Sequence, residues 1–130
     1  MSASASSAGS VSPAELLTAA ERLLTAPVPG IDASWPRVCA LLIRLALEMT
    51  LDRFWARVLP EAVGCGMRPQ LLLLPLYTAD RPAATSLARE AWLGLAGAAH
   101  HHAYELAPTA AELRTWHMGV EELAGLLAAR

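Results

Sequence analysis

The stretch from Ser34 to Leu59 constrains the fold more than any other part of the chain, because at 100° per residue it carries two separate apolar arcs. Ile43, Leu47, Leu51, Phe54 and Val58 form one, and Val38, Leu41, Leu42, Leu45 and Met49 form the other. Two thin polar seams divide the arcs, with Arg37, Arg44, Glu48 and Asp52 in one and Thr50, Arg53 and Arg57 in the other. A helix apolar on two sides is expected to be buried on two sides. The expectation is a central helix of about 35 Å, at 1.5 Å per residue, with the other elements packed around it.

Start and stop signals place those other elements. Ser12-Pro13-Ala14-Glu15 joins a capping box to a proline at the first helical position, so a first helix begins there and runs to about Thr25, where Pro27-Val28-Pro29-Gly30 ends it. Met67 to Tyr77 reads as a short apolar helix with about two regular turns, because Pro69 and Pro75 interrupt it. Asp80 caps a fourth helix with Pro82 in its first turn; Leu87, Ala91, Leu95, Ala98 and Leu106 form its stripe, to about Tyr104. Thr109-Ala110-Ala111-Glu112 is a second capping box, and Leu113, Trp116, Val120, Leu123 and Leu127 make the stripe of a last helix reaching nearly to Arg130. No run alternates with the period of a half-buried strand. The fold class expected is all-α, an antiparallel bundle of four main helices plus one short helix, as a single domain over 13–130 behind a disordered Ser/Ala-rich tail at 1–12.

Composition removes several function classes. The formal charge is −2, from ten basic residues, all Arg, against twelve acidic ones, so there is no basic excess to drive sequence-independent DNA binding. No apolar run reaches the ~18–20 residues of a membrane span, and Met1 to Ser12 has neither the positive nor the apolar region of a secretory signal. The cytoplasm is the expected compartment. Cys39 and Cys65 alone make neither a disulfide framework nor a zinc site; Cys39 reads as core and Cys65, between two glycines, as exposed. Phosphate-cradling glycine loops, G-x-S-x-G elbows and H-E-x-x-H helices are all missing, and no cofactor is expected.

Titratable groups crowd into one patch: His100, His101, His102, Tyr104 and Glu105, then Arg114, His117 and Glu121 across a turn. His102 precedes Thr109 by seven residues and His117 follows it by eight, so in an antiparallel hairpin the two lie at similar heights. The leading reading is structural, because buried polar groups are ordinarily hydrogen-bonded rather than catalytic; Glu105 and Arg114 would then pair. Metal binding is the second reading, since His101 with Glu105 and His117 with Glu121 stand four residues apart. It lacks the Glu-x-x-His spacing and the extra glutamates of di-metal bundles, and no metal is expected.

The length, the all-α layout and the Arg/His patch before the last helix resemble the HEPN superfamily, small helical-bundle domains of toxin–antitoxin and defence systems. The resemblance covers the bundle and the segment Trp92 to His117, and it implies a metal-independent ribonuclease that pairs an Arg and a His from each subunit of a dimer. The family motif is an Arg followed by four to six residues and then His. Here Arg89 precedes His100 by eleven positions and Arg114 precedes His117 by three, so no catalytic residue transfers. A relative would be divergent or inactive, with His102, His117 and Arg114 the residues to test and RNA the substrate. The segments Trp92 to Leu95 and His100 to Thr109 also resemble a family of small proteins from GC-rich bacteria, which implies no function.

Two further features remain. Arg44, Glu48 and Asp52 step by four between the apolar arcs, so a buried polar seam with an Arg44–Glu48 pair is expected, more a packing device than a pocket with Trp55. Met67, Leu71, Leu72, Leu76 and Tyr77 offer more apolar surface than one face of a short helix buries, and four tryptophans are many for this length. The functional expectation is therefore a non-enzymatic bundle acting through protein–protein contact, as a homodimer or on a protein partner, with the ribonuclease as the alternative.

Overall fold

The computed structural model of the chain describes residues 10–26, 34–99 and 106–128. Among them are five α-helices and one 3-10 turn: α1 (Pro13–Thr25), α2 (Trp35–Val58), the turn Pro60–Ala62, α3 (Met67–Tyr77), α4 (Ala83–Ala99) and α5 (Ala110–Leu127). None of the described residues is in a strand, and no described helix is long and apolar enough to cross a membrane.

Both capping boxes form as the spacing requires. The Ser12 hydroxyl accepts from the Glu15 amide at 3.1 Å while the Glu15 carboxylate accepts from the Ser12 amide at 2.8 Å; Thr109 and Glu112 repeat the exchange at 3.1 and 2.9 Å. Each box satisfies amides that the first helical turn leaves without intrahelical acceptors. The core then assembles on α2, which packs against α1, α4 and α5, while α1 also meets α5 and α3 rests on α4.

Only one of the two α2 arcs is buried, and its last member, Val58, is half-buried. Ile43, Leu47, Leu51 and Phe54 are sealed, together with Cys39, Ala46 and Trp55, whereas Val38, Leu41 and Leu45 are 38%, 52% and 39% exposed. All three neighbouring helices share the first arc, and no described element covers the second. The expected two-sided burial is thus corrected to one-sided burial, with Leu42 and Met49 half-buried along the margin.

Three boundaries also differ from the sequence reading. Helix α3 is continuous over eleven residues despite its prolines. Pro69 stands in the first turn, where no donor is needed, and Pro75 sits near the end, where one lost bond does not stop the helix. Helix α4 begins at Ala83, not beside Asp80, whose carboxylate lies 3.3 Å from the Arg81 guanidinium. Leu106 is 95% exposed and outside any helix, so it does not belong to the α4 stripe, whose members Ala91 and Leu95 are sealed.

Two glycines matter for how these elements meet. Gly64 has φ of +86° in the turn that sends the chain from the 3-10 segment into α3, a conformation that side-chain-bearing residues rarely adopt. Gly94 lets Trp116 lie directly on α4: a Cβ there would stand 2.4 Å from the indole. Helices α4 and α5 therefore approach through a glycine-to-tryptophan contact.

Candidate functional site

Three places contain the residues nominated from sequence. The first is the Arg/His patch, of which Arg114, His117 and Glu121 lie on α5, while His100, His101, His102, Tyr104 and Glu105 lie outside the described residues. The proposed His102–His117 proximity and the Glu105–Arg114 pair fall there too.

His117 is buried on the face of α5 turned toward α1, and its Nε2 donates to the Leu17 carbonyl oxygen at 2.9 Å. A carbonyl can only accept, so this bond fixes the proton on Nε2. Glu21 Oε1 stands 3.9 Å from the same nitrogen. One turn away Arg114 reaches α1 as well, donating from Nη2 to the Leu24 carbonyl at 3.2 Å. Leu17, Glu21 and Leu24 follow one another at four and three residues, one face of α1, and the two α5 side chains clip onto it. The sequence showed the α5 half of this arrangement; Leu17, Glu21 and Leu24 were missed, because the two leucines take part through backbone carbonyls that carry no sequence signature.

Through these two contacts with backbone carbonyl oxygens, Arg114 and His117 tie α5 to α1. Among the described residues no group of three or more His, Cys, Asp or Glu converges as a metal site. Cys39 lies below the same contact, its Sγ 3.6 Å from the Ala20 carbonyl oxygen. Burial pushes its thiol from 9.0 to about 11, with the Glu21 carboxylate adding to the rise and the Arg114 guanidinium opposing it. Cys65 is exposed. At pH 8 about one Cys39 thiol in a thousand would be ionised even if reagent could enter, since the pH lies three units below the pKa. Titration of native protein with a thiol-reactive disulfide is therefore expected to count one cysteine, and denatured protein two; rapid labelling of both in the native state would contradict the buried placement.

The second place is the Arg44, Glu48 and Asp52 seam. Arg44 Nε lies 3.5 Å from Glu48 Oε2, as its i,i+4 spacing requires, but the side chains are about one-third exposed, so the seam is half-buried rather than buried. The open second arc of α2 explains this, since water reaches the seam from that side. Trp55 is not its aromatic neighbour: Trp92 of α4 is, with the Arg44 guanidinium 5.0 Å from the ring centroid. Cys65, Met67 and Gln70 close the remaining side of a shallow pocket. Gln70 is buried, its Nε2 donating to the Cys65 carbonyl at 2.7 Å, which ties the start of α3 to the loop before it.

The third place is the outward face of α3. Leu72 and Leu76, one turn apart, are 73% and 75% exposed, whereas Leu74 between them is sealed. Tyr77 is partly exposed and stands edge-on to Trp55 at 5.4 Å. Met67 and Leu71 are half-buried and pack against the core. Of the five residues nominated as an interface, then, Leu72, Leu76 and part of Tyr77 face outward, while Met67 and Leu71 seat the helix. The two leucines project because α3 rests on the rest of the fold along only one side.

No protein-family model, curated protein or solved structure matches this chain.

Proposed function

We propose that this chain works by protein–protein association through the outward face of α3, in the simplest case as a homodimer, without chemistry of its own. The observation that carries the reading is the exposed Leu72 and Leu76 pair. Full burial of a leucine side chain is worth about 1.5–3 kcal/mol, so leaving two of them in water on one helical face is unfavourable unless a partner covers them. The clip between α1 and α5 supports the same conclusion from the other side. It uses Arg114 and His117 to hold helices together, which engages the described Arg and His of the patch in helix packing.

The arrangement that presents this face is read as an antiparallel bundle. Residue pairings support it: His117 meets Leu17 and Arg114 meets Leu24, so the register along α1 rises as that along α5 falls. Gly94 against Trp116 and Leu87 against Gly119 give the same opposed register for α4 and α5.

Light scattering on purified protein tests the association. The native chain is expected to elute at twice its own mass, and Leu72→Glu with Leu76→Glu to elute as a monomer with an unchanged helical spectrum. Both positions are solvent-facing, so the charges should leave the fold intact. A native monomer at tens of micromolar, or a double variant that remains dimeric, would overturn the α3 interface.

A further inference from the structure

The second arc of α2 has no neighbour among the described residues. Val38, Leu41 and Leu45 are 38%, 52% and 39% exposed, and Met49 continues the stripe half-buried. From Val38 to Asp52 this open face runs for about 21 Å, at 1.5 Å per residue. It shares no residue with the outward face of α3.

The polar seam along one edge of the open face shows what matches it. From the start of the helix its charges are Arg37, Arg44, Glu48 and Asp52, two cations followed by two anions. Two helices with that order complement each other along this edge only when they run in opposite directions; side by side in the same direction, like charges meet. A two-fold axis at Leu45 sets that leucine against its own copy and Leu41 against Met49 of the second copy. The same axis brings Arg37 beside Asp52 of the second copy, and Arg44 beside Glu48 of the second copy. Within one chain Arg44 and Glu48 touch at 3.5 Å through Nε and Oε2, so across the axis the two pairs join into one network.

Asp52 is the independent observation. It is half-buried, and its carboxylate has neither a hydrogen bond nor an ion pair with any described residue. A carboxylate that has lost part of its hydration is stabilised by a guanidinium, and the charges nearest to it along the seam of its own chain begin with another acid, Glu48. The antiparallel pairing supplies the missing cation from Arg37 of the second copy.

We infer that the open arc of α2 is a self-association surface, on which a second copy of the chain lays its own α2 antiparallel about a two-fold axis at Leu45. Such a contact is isologous, the same patch serving both copies. Val38, Leu41 and Leu45 are less exposed than Leu72 and Leu76, so each gains less on being covered, and this contact is weaker than one through α3. It fills at concentrations of about 1 mM, where the α3 face is already occupied.

Sedimentation equilibrium of the Leu72→Glu, Leu76→Glu protein isolates the α2 contact, so the result does not depend on the α3 face. That protein is expected to pass from one chain mass at tens of micromolar to twice that mass near 1 mM, and to stay at one chain mass when Leu45→Glu is added. Arg37→Glu and Asp52→Arg, each added alone, place like charges across the axis and are expected to weaken pairing at least about tenfold. An equimolar mixture of those two proteins is expected to restore it, because in a mixed pair both contacts are again between opposite charges. Recovery on mixing cannot come from folding damage in either chain. A protein that stays monomeric to about 1 mM, pairing that survives Leu45→Glu, or a mixture that pairs no better than its components would each overturn the inference. Dimers already present at tens of micromolar and dissociated by Leu45→Glu would overturn the α3 face and leave the α2 contact standing.

Discussion

Trp55→Ala is expected to lower the unfolding free energy by about 3–5 kcal/mol, the largest effect of any single substitution considered for this chain. Trp55 is the largest of the sealed side chains; it stands edge-on to Phe54 at 5.1 Å and to Tyr77 at 5.4 Å. Its removal therefore opens a cavity against α2 itself and also withdraws the support under the end of α3. Part of the loss is offset, because the indole Nε1 has no hydrogen-bond partner among the described residues and truncation removes that buried donor. The offset can be separated from the packing loss: Trp55→Phe keeps an aromatic edge for Tyr77 and drops the unpartnered N–H, so its cost should be well under half that of alanine. Chemical denaturation of the three proteins gives the order. A phenylalanine variant as damaged as the alanine variant would mean that the indole nitrogen is satisfied in solution.

Trp55 also shows why the α3 face was legible in sequence while its mounting was not. An excess of leucines between Met67 and Tyr77 can be counted without coordinates, and it pointed to Leu72 and Leu76. Which members of that run turn inward depends on where α2 and α4 lie, and only the fold shows that Met67 and Leu71 seat the helix while Tyr77 meets a tryptophan far away in sequence. The capping boxes at Ser12 and Thr109 were readable for the opposite reason, since their partners sit three residues away and no tertiary information is needed. Periodicity was least reliable on α2. Two apolar arcs imply two-sided burial only if neighbours exist to cover both, and α1, α4 and α5 all take the same side. Leucines at 41 and 45 then remain in water, and the Arg44 seam beside them is wetter than its composition suggested. For the Arg/His patch, sequence identified Arg114 and His117 as unusual, yet it could not show that their acceptors are backbone carbonyls, which carry no sequence signature.

The role of that patch is decided by His117→Ala, expected to cost about 2–3 kcal/mol of stability. The buried imidazole fills space between α1 and α5 and donates to the Leu17 carbonyl oxygen at 2.9 Å, so alanine removes both packing and a hydrogen bond. The carbonyl does not become a true orphan, because Leu17 lies mid-helix and the amide of Glu21 follows it at the helical spacing; this holds the estimate below that for an unpaired buried acceptor. His117→Gln carries an N–H donor of comparable reach and should recover roughly half of the loss, whereas His117→Leu restores volume without a donor and should recover less. That ranking distinguishes a clip from simple space-filling. Arg114→Met, which removes the neighbouring bond to Leu24, should weaken the same α1–α5 contact, and its effect should be less than additive with His117→Ala because both changes release one face of α1. If His117→Ala unfolds at the native midpoint, the ring contributes nothing to holding α1 on α5. The histidine would then be available for chemistry, and a ribonuclease assay on the native chain and the alanine variant would become the informative comparison.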